Sequence, residues 1–226
     1  MVTAIFPAAG ASQRMGAGTN KIFLELGGES VLVRTLKTFS QSARINFLIV
    51  VTNEVETVTE ILNATPNLKP FAVTAGGSER QYSIANGLKL VPNDAEIILV
   101  HDAARPLINL ETIENVIDAA EKFGGAIAAV PEKNTIKIID AEGFVKSTPP
   151  RAELVAVQTP QGFKKEILMQ AYEQAAADNF LGTDDASLVE RIGGKIKIVQ
   201  SSYKNIKITT PEDIQIAETF LKEKIL

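Results

Sequence analysis

The stretch Thr3-Ala4-Ile5-Phe6-Pro7-Ala8-Ala9-Gly10-Ala11-Ser12-Gln13-Arg14-Met15-Gly16-Ala17-Gly18-Thr19-Asn20-Lys21 carries a short apolar run straight into a long loop of small residues with two cations. The run has the length of a strand. Small residues after it let backbone N–H groups approach a polyphosphate closely, and Arg14 and Lys21 are placed to neutralise charge that builds during phosphoryl or nucleotidyl transfer. Glycine richness alone would equally fit an ordinary loop after an edge strand. Position argues for the first reading, because ligands of open parallel sheets bind beyond the carboxyl ends of the strands, where this loop falls. Two other phosphate loops are excluded. No Gly-Lys-Ser/Thr follows, and Ser12 occupies the second glycine position of Gly-x-Gly-x-x-Gly.

Outward from this loop, apolar runs of strand length (3–7, 47–52, 71–75, 96–101, 126–130 and 196–200) alternate with segments of helical period (31–41, 55–63, 79–90, 111–123 and 164–177). That alternation predicts an α/β fold, a mostly parallel sheet flanked by helices. Ser78 with Gln81 fits a capping box, and Thr210-Pro211-Glu212-Asp213 places a cap, an N1 proline and early acids in order. One segment breaks the alternation. Residues 134–139 and 144–148 read as two strands around the turn Asp140-Ala141-Glu142-Gly143, and Pro149-Pro150 follows. Such a hairpin cannot bury itself alone, so 133–150 is expected to be a protruding β-arm, and a dimer element, on a single domain spanning 1–226.

The fourth strand ends in His101-Asp102-Ala103-Ala104-Arg105-Pro106. A carboxylate emerging there could bind Mg²⁺ bridging phosphate oxygens; the alternative is a cap or loop aspartate paired with Arg105. His101 reads as a hydrogen-bonded structural residue. In the second half, Arg151, the run Gln158-Thr159-Pro160-Gln161 after the apolar segment 154–157, Thr183-Asp184-Asp185 at a helix start, and Lys207 supply hydroxyls and cations. Together these suit a second anionic substrate aligned for in-line attack on phosphorus.

Composition narrows the class. With 226 residues and 45% apolar content, a sizeable core is available. A formal charge of -4 disfavours a nucleic-acid or anionic-membrane binder. No cysteine and one histidine exclude thiolate catalysis and His-rich or Cys-ligated metal sites. Met1-Val2-Thr3-Ala4-Ile5-Phe6 reads as an immediate strand, and no run approaches the ~18 apolar residues of a membrane span, so a cytoplasmic protein is expected.

Taken in order along the chain, Pro7-Ala8-Ala9-Gly10 with Arg14-Met15-Gly16 and Lys21, Gly76-Gly77-Ser78-Glu79-Arg80 with Ser83, Val100-His101-Asp102-Ala103-Ala104-Arg105-Pro106, Gln158-Thr159-Pro160-Gln161, Thr183-Asp184-Asp185-Ala186, and Asn205-Ile206-Lys207-Ile208-Thr209-Thr210-Pro211-Glu212-Asp213 resemble the 2-C-methyl-D-erythritol 4-phosphate cytidylyltransferase family. The resemblance implies a Rossmann-like nucleotide-diphospho-sugar transferase fold and a homodimer joined through the arm. It also implies a CTP-dependent, Mg²⁺-assisted step of non-mevalonate isoprenoid biosynthesis. By that analogy Arg14 and Lys21 stabilise the α-phosphorus and the leaving pyrophosphate, and Asp102 holds the metal. Ala8, Ala9, Gly10, Gly77, Ser83 and Ala103 surround the nucleotide. Arg151 and Lys207, helped by Thr159 and Thr183, position the acceptor, which Arg105 and Thr135 reach across the dimer. The chain departs from the family pattern at Ser12, at Ile22-Phe23 and at Asn134. None of these removes a proposed catalytic charge.

No general base is needed in such a reaction, since a phosphate monoester with a second pKa near ~6 arrives largely dianionic. Three readings compete. A ribitol 5-phosphate cytidylyltransferase would share the loop and the aspartate, although those relatives tend to have valine where this chain has Ala104. A non-catalytic nucleotide-binding module would have little reason to keep Arg14, Lys21, Asp102, Arg151 and Lys207 together. A dehydrogenase fits worst, because the second strand closes with Val50-Val51-Thr52 and offers no ribose-binding acid.

Overall fold

The computed structural model describes residues 1–10 and 20–223. The chain opens with β1 (Val2–Pro7), followed after the first loop by a small hairpin of β2 (Glu25–Leu26) and β3 (Glu29–Ser30). Next come α1 (Val31–Ser40), β4 (Ile45–Val51), α2 (Val55–Asn63), β5 (Phe71–Thr74), α3 (Arg80–Leu88), β6 (Ile97–Val100), α4 (Leu110–Phe123) and β7 (Gly125–Pro131). The arm carries β8 (Ile138–Ile139) and β9 (Val145–Ser147). The chain then returns through β10 (Val155–Lys164), α5 (Lys165–Ala177), α6 (Asp185–Arg191), β11 (Lys197–Gln200) and α7 (Pro211–Lys222).

Seven strands form one sheet in the order β11-β7-β10-β6-β1-β4-β5, with β10 antiparallel to both neighbours and the other pairings parallel. The expected mostly parallel, helix-flanked sheet is therefore what forms. Its central strands are apolar on both faces because helices cover both. Alternate residues enter opposite cores: Ala4, Phe6, Leu48, Val50, Ile97 and Leu99 pack on one face with α1, α2 and α4. Ile5, Ile49, Val51, Ile98 and Val100 pack on the other with α3, α5 and α6. Each fully buried Leu, Ile or Phe contributes about 1.5–3 kcal/mol, so these two layers hold the sheet's register firmly. A third cluster of Leu26, Val31, Ala104, Ile208 and Ala217 fastens α7 to the hairpin beneath the first loop.

Helix ends follow local chemistry. Ser30 caps α1 by accepting from the Val33 N–H, Asn109 caps α4 through Thr112, and Gly124 at φ +91° closes α4 in the left-handed conformation. The Asp213 carboxylate accepts from the backbone N–H groups of Thr209 and Thr210, as the box before α7 predicts.

Three details differ from the sequence reading. The box at Ser78 does not form: α3 begins after Glu79, and the Gln81 side chain donates to the Phe180 carbonyl and accepts from the Gly182 N–H. Those partners lie about a hundred positions away, and burial of the amide rewards them over a local cap. Residues 158–164 continue the apolar segment before them as β10, inserted between β6 and β7, where the sequence shows only a polar, proline-bearing run. The arm pairs over a shorter length than 134–139 with 144–148, its turn closed by Gly143 at φ +88° and by the Asp140 carboxylate, which accepts from the Glu142 and Phe144 N–H groups.

Candidate active site

After β1 the chain moves to β4 and β5 on one side, then returns to β6 on the other, so the direction of winding reverses between β1 and β6. At such a switch point two strand ends part and leave a crevice. Here it is a cavity of about 550 Å³. Among the described residues it is lined from the end of β1 and the first loop by Pro7, Ala8, Ala9, Gly10, Asn20, Lys21 and Ile22, from α3 by Arg80 and Ser83, from the turn after β6 by Asp102 and Ala104, and from the run before α7 by Lys207 and Thr209. The loop's start is tied down by the Ala8 N–H donating to the Val51 carbonyl at 2.7 Å and by Asn53 donating to the Ala9 carbonyl at 3.1 Å.

Asp102 is the electrostatic centre. Lys207 Nζ lies 3.0 Å and Arg105 Nε 3.2 Å from its Oδ2, while Arg80 Nε lies 3.9 Å from Oδ1. Burial by itself opposes ionisation of this carboxyl, but Lys207, Arg105 and Arg80 outweigh it and hold the group well below the ordinary carboxylate range. Arg80 also donates to Asp185 at 2.7 Å. Three cations thus face two carboxylates, leaving positive charge over for an anionic ligand.

Behind Asp102 sits a buried polar chain. The Thr159 hydroxyl accepts from the Asp102 N–H at 3.0 Å and lies 3.0 Å from His101 Nδ1, while His101 Nε2 lies 3.2 Å from the Arg105 carbonyl. The consistent assignment is a neutral ring with Nε2–H donating to the carbonyl and Nδ1 accepting from Thr159. Burial pushes the imidazole pKa down to about 3, so His101 braces the turn and is not a proton carrier near neutrality.

The structure brings Ala8, Ala9, Gly10, Lys21, Ser83, Asp102 and Lys207 to one cavity. Gly77 stands beside it, its N–H donating to Ser83 Oγ at 3.0 Å. Ala103 is buried in the core with its carbonyl accepting from Thr35, and its neighbour Ala104 lines the cavity instead. Thr159 is buried and engaged with Asp102 and His101. Arg105, expected to reach across a dimer, is turned inward in this chain onto Asp102 and the Asn205 carbonyl. Thr183 is exposed ahead of α6, Thr135 is exposed in the arm, and Arg151 is exposed at the arm's base, donating to the Lys133 carbonyl at 3.1 Å. Those three do not line the cavity. Arg14 lies outside the described residues.

Asn20, Arg80, Ala104 and Thr209 were given no site role from the sequence, yet all line the cavity. For Arg80 a signal was present. A cation at the first position of a helix opposes the helix dipole by about 0.3–1 kcal/mol, which marks it as having a dedicated anionic partner.

Among the described residues no group of three or more His, Cys, Asp or Glu side chains could cage a metal ion. Asp102 alone fits a narrower requirement. Magnesium commonly takes one or two protein carboxylates and completes its shell with water and phosphate oxygens. Both neighbours of Oδ2 are cations, whereas Oδ1 has Arg80 only at 3.9 Å.

A crevice of about 550 Å³ at the switch point of a parallel sheet, rich in cations and with its histidine sealed, suits the phosphate-bearing substrates of a nucleotidyltransferase. The family model for 2-C-methyl-D-erythritol 4-phosphate cytidylyltransferase matches residues 2–223, and the chain belongs to that family. It is 46% identical over 225 residues to the 2-C-methyl-D-erythritol 4-phosphate cytidylyltransferase of Caldanaerobacter subterraneus subsp. tengcongensis, covering 98% of this chain and 99% of that one. To the Bacillus cereus protein of the same name it is 47% identical over 223 residues, with 98% of each chain covered. The crystal structure of 4-diphosphocytidyl-2C-methyl-D-erythritol synthase from Anaerococcus prevotii superposes with a TM-score of 0.87 at 35% identity, covering 98% of both chains.

Proposed function

We propose that the chain transfers the cytidylyl group of CTP to the phosphate of 2-C-methyl-D-erythritol 4-phosphate, forming 4-diphosphocytidyl-2-C-methyl-D-erythritol and pyrophosphate. The observation that carries this reading is the surplus of positive charge gathered on Asp102 at the switch point. Two polyanions repel one another, and opposed cations in a partly dry cleft make their approach tolerable.

In the reaction an oxygen of the acceptor phosphate attacks the α-phosphorus in line. The bond from the α-phosphorus to the bridging oxygen breaks, and the electron pair leaves with pyrophosphate. The nucleophile is already deprotonated, which agrees with a sealed, neutral His101. Ala8, Ala9, Gly10, Gly77 and Ser83 form the nucleotide side of the cleft. Lys21 and Arg14 meet the triphosphate, and Lys207 meets the acceptor phosphate. Asp102 would hold Mg²⁺, which when bound neutralises phosphate charge.

We further propose a homodimer in which the arm, residues 133–150, packs on a second copy and brings Thr135 to the partner's acceptor, while Arg151 serves the acceptor of its own chain. Exposed Ile138, Ile139, Phe144 and Val145 support this, since a hairpin of this size needs a surface to lie against. None of the described helices is long and apolar enough to cross a membrane. The dependence on CTP favours the cytoplasm, and the net charge of -4 argues against a nucleic-acid partner.

The test supplies CTP, Mg²⁺ and either 2-C-methyl-D-erythritol 4-phosphate or ribitol 5-phosphate, and follows pyrophosphate. Turnover with the first acceptor is expected. Faster turnover of ribitol 5-phosphate would overturn the acceptor assignment, and silence with both would overturn the reaction.

A further inference from the structure

Behind the nucleotide side of the cavity lies an ion pair that the transfer chemistry does not itself require. Asp185, the first residue of α6, is fully buried, a place where a carboxylate persists only if both oxygens are satisfied. Oδ1 accepts from the Tyr172 hydroxyl at 2.6 Å, and Oδ2 accepts from Arg80 Nη2 at 2.7 Å. Tyr172 stands on α5 and Arg80 on α3, so one carboxylate joins three helices. Its depth is set by Gln161 of β10, whose amide donates to Asp184 and accepts from the Ala186 N–H.

Arg80 also lines the cavity, where its Nε is 3.9 Å from Asp102 Oδ1. A guanidinium is a rigid planar fork, so whatever grips one nitrogen aims the rest. Released from Asp185, the fork would close on Asp102, a carboxylate already holding Lys207 at 3.0 Å and Arg105 at 3.2 Å. Arg80 would then cap that carboxylate and withdraw from the ligand. We propose that Asp185, backed by Tyr172, is a positioning residue that holds Arg80 off Asp102 and aims its guanidinium at the phosphates of the bound nucleotide. This rests on the reading of the cavity as a CTP site. Burial and the neighbouring Asp185 keep the Tyr172 phenol well above its ordinary pKa, so it remains a hydrogen-bond donor throughout the working range.

The experiment measures kcat and KM for CTP and for the acceptor in wild type, Asp185→Asn, Arg80→Met, the double variant and Tyr172→Phe, with CTP binding followed separately by calorimetry. Asp185→Asn is expected to raise KM and Kd for CTP roughly tenfold, the usual scale for losing an outer partner that orients a binding group. The acceptor KM should change less than about twofold, which a general loosening of the fold would not spare. The double variant should bind CTP no worse than Arg80→Met alone, because an absent guanidinium cannot be misaimed. Tyr172→Phe, which keeps the packing, should shift CTP binding by a smaller factor in the same direction and carries the test if Asp185→Asn does not fold. Losses that multiply in the double variant, or a wild-type CTP Kd in whichever of Asp185→Asn and Tyr172→Phe folds, would overturn the proposal. Wild-type protein that fails to bind CTP would instead overturn the functional reading beneath it.

Discussion

Gly76→Ala tests how closely the first loop and the β5–α3 turn are fitted together. Gly76 is not among the positive-φ residues, so its backbone can accept a side chain, and only space stands in the way. A Cβ built there would lie 2.2 Å from Ala9 Cβ, 2.8 Å from Asn53 Oδ1 and 3.3 Å from Ser83 Oγ. Two carbons rest at about 3.5–4.0 Å, so the first contact is short by more than about 1 Å. Asn53 can swing away. Ala9 Cβ cannot move without its backbone, and that backbone is the cavity wall. Relief therefore costs about 1–3 kcal/mol of stability and displaces the wall by roughly 1 Å. The stability loss is a melting temperature lower by about 2–4 °C per kcal/mol for a chain of this size, well short of unfolding. A misplacement of this size at a reacting centre costs about 10²-fold, so kcat/KM for CTP should fall by that order while the KM for the acceptor stays near wild type. Pyrophosphate release and a thermal melt read the two effects separately. A variant with a lowered melting temperature but CTP kinetics within about twofold of wild type would refute the claim that this contact shapes the nucleotide site.

Lys207→Ala should lower turnover by ~10²-fold or more in a chain that still folds, because it removes a cation facing Asp102 in the cavity while Arg105 and Arg80 still pair that carboxylate. His101 carries a pH dependence of definite sign. Its folded pKa, near 3, lies below the ordinary 6.5, so the unfolded chain binds the extra proton and stability is lost as pH falls from about 6.5 towards 3. Between pH 6.5 and 5 urea unfolding should show a loss of about 1–2 kcal/mol from this group, and His101→Gln should flatten that part of the profile. Asp102 adds a loss of the same sign only in the more acidic carboxylate range. Phe144→Asp, at a side chain 67% exposed on the arm, should leave a folded monomer by sedimentation velocity; a persistent dimer would remove the arm from the interface.

The sheet and its helices were legible because their signals are local. α2 spans Val55–Asn63 as its spacing predicts, and β1 and β4 are largely apolar, each broken by one polar residue, Thr3 and Asn46. The strand β10 was hidden because Gln158, Thr159, Pro160 and Gln161 look like loop residues, and their burial makes sense only through distant partners. Thr159 serves Asp102 and His101, Gln158 pairs with Asn205, and Gln161 clasps the start of α6. Asp102 could be named from its type and place after a strand end, and Lys21 and Lys207 from their charge in the first loop and in the run before α7. The claim of Arg80 on Asp185 spans more than a hundred residues, and the inward turn of Arg105 depends on a carbonyl of Asn205; neither has a local pattern.

The strand β10 begins where the arm rejoins the body and runs ten residues through the middle of the sheet, passing directly behind the metal-binding candidate. The arm and the floor of the cleft therefore meet one strand, whose pairing with β7 shifts register between Val157 and Gln161, and Thr159 in that stretch grips the backbone of Asp102. The hairpin and the backbone of Asp102 are thus joined through one continuous stretch of chain. If copies associate through that hairpin, each subunit's chemistry inherits the state of its neighbour, and dilution should blunt specific activity before any unfolding begins.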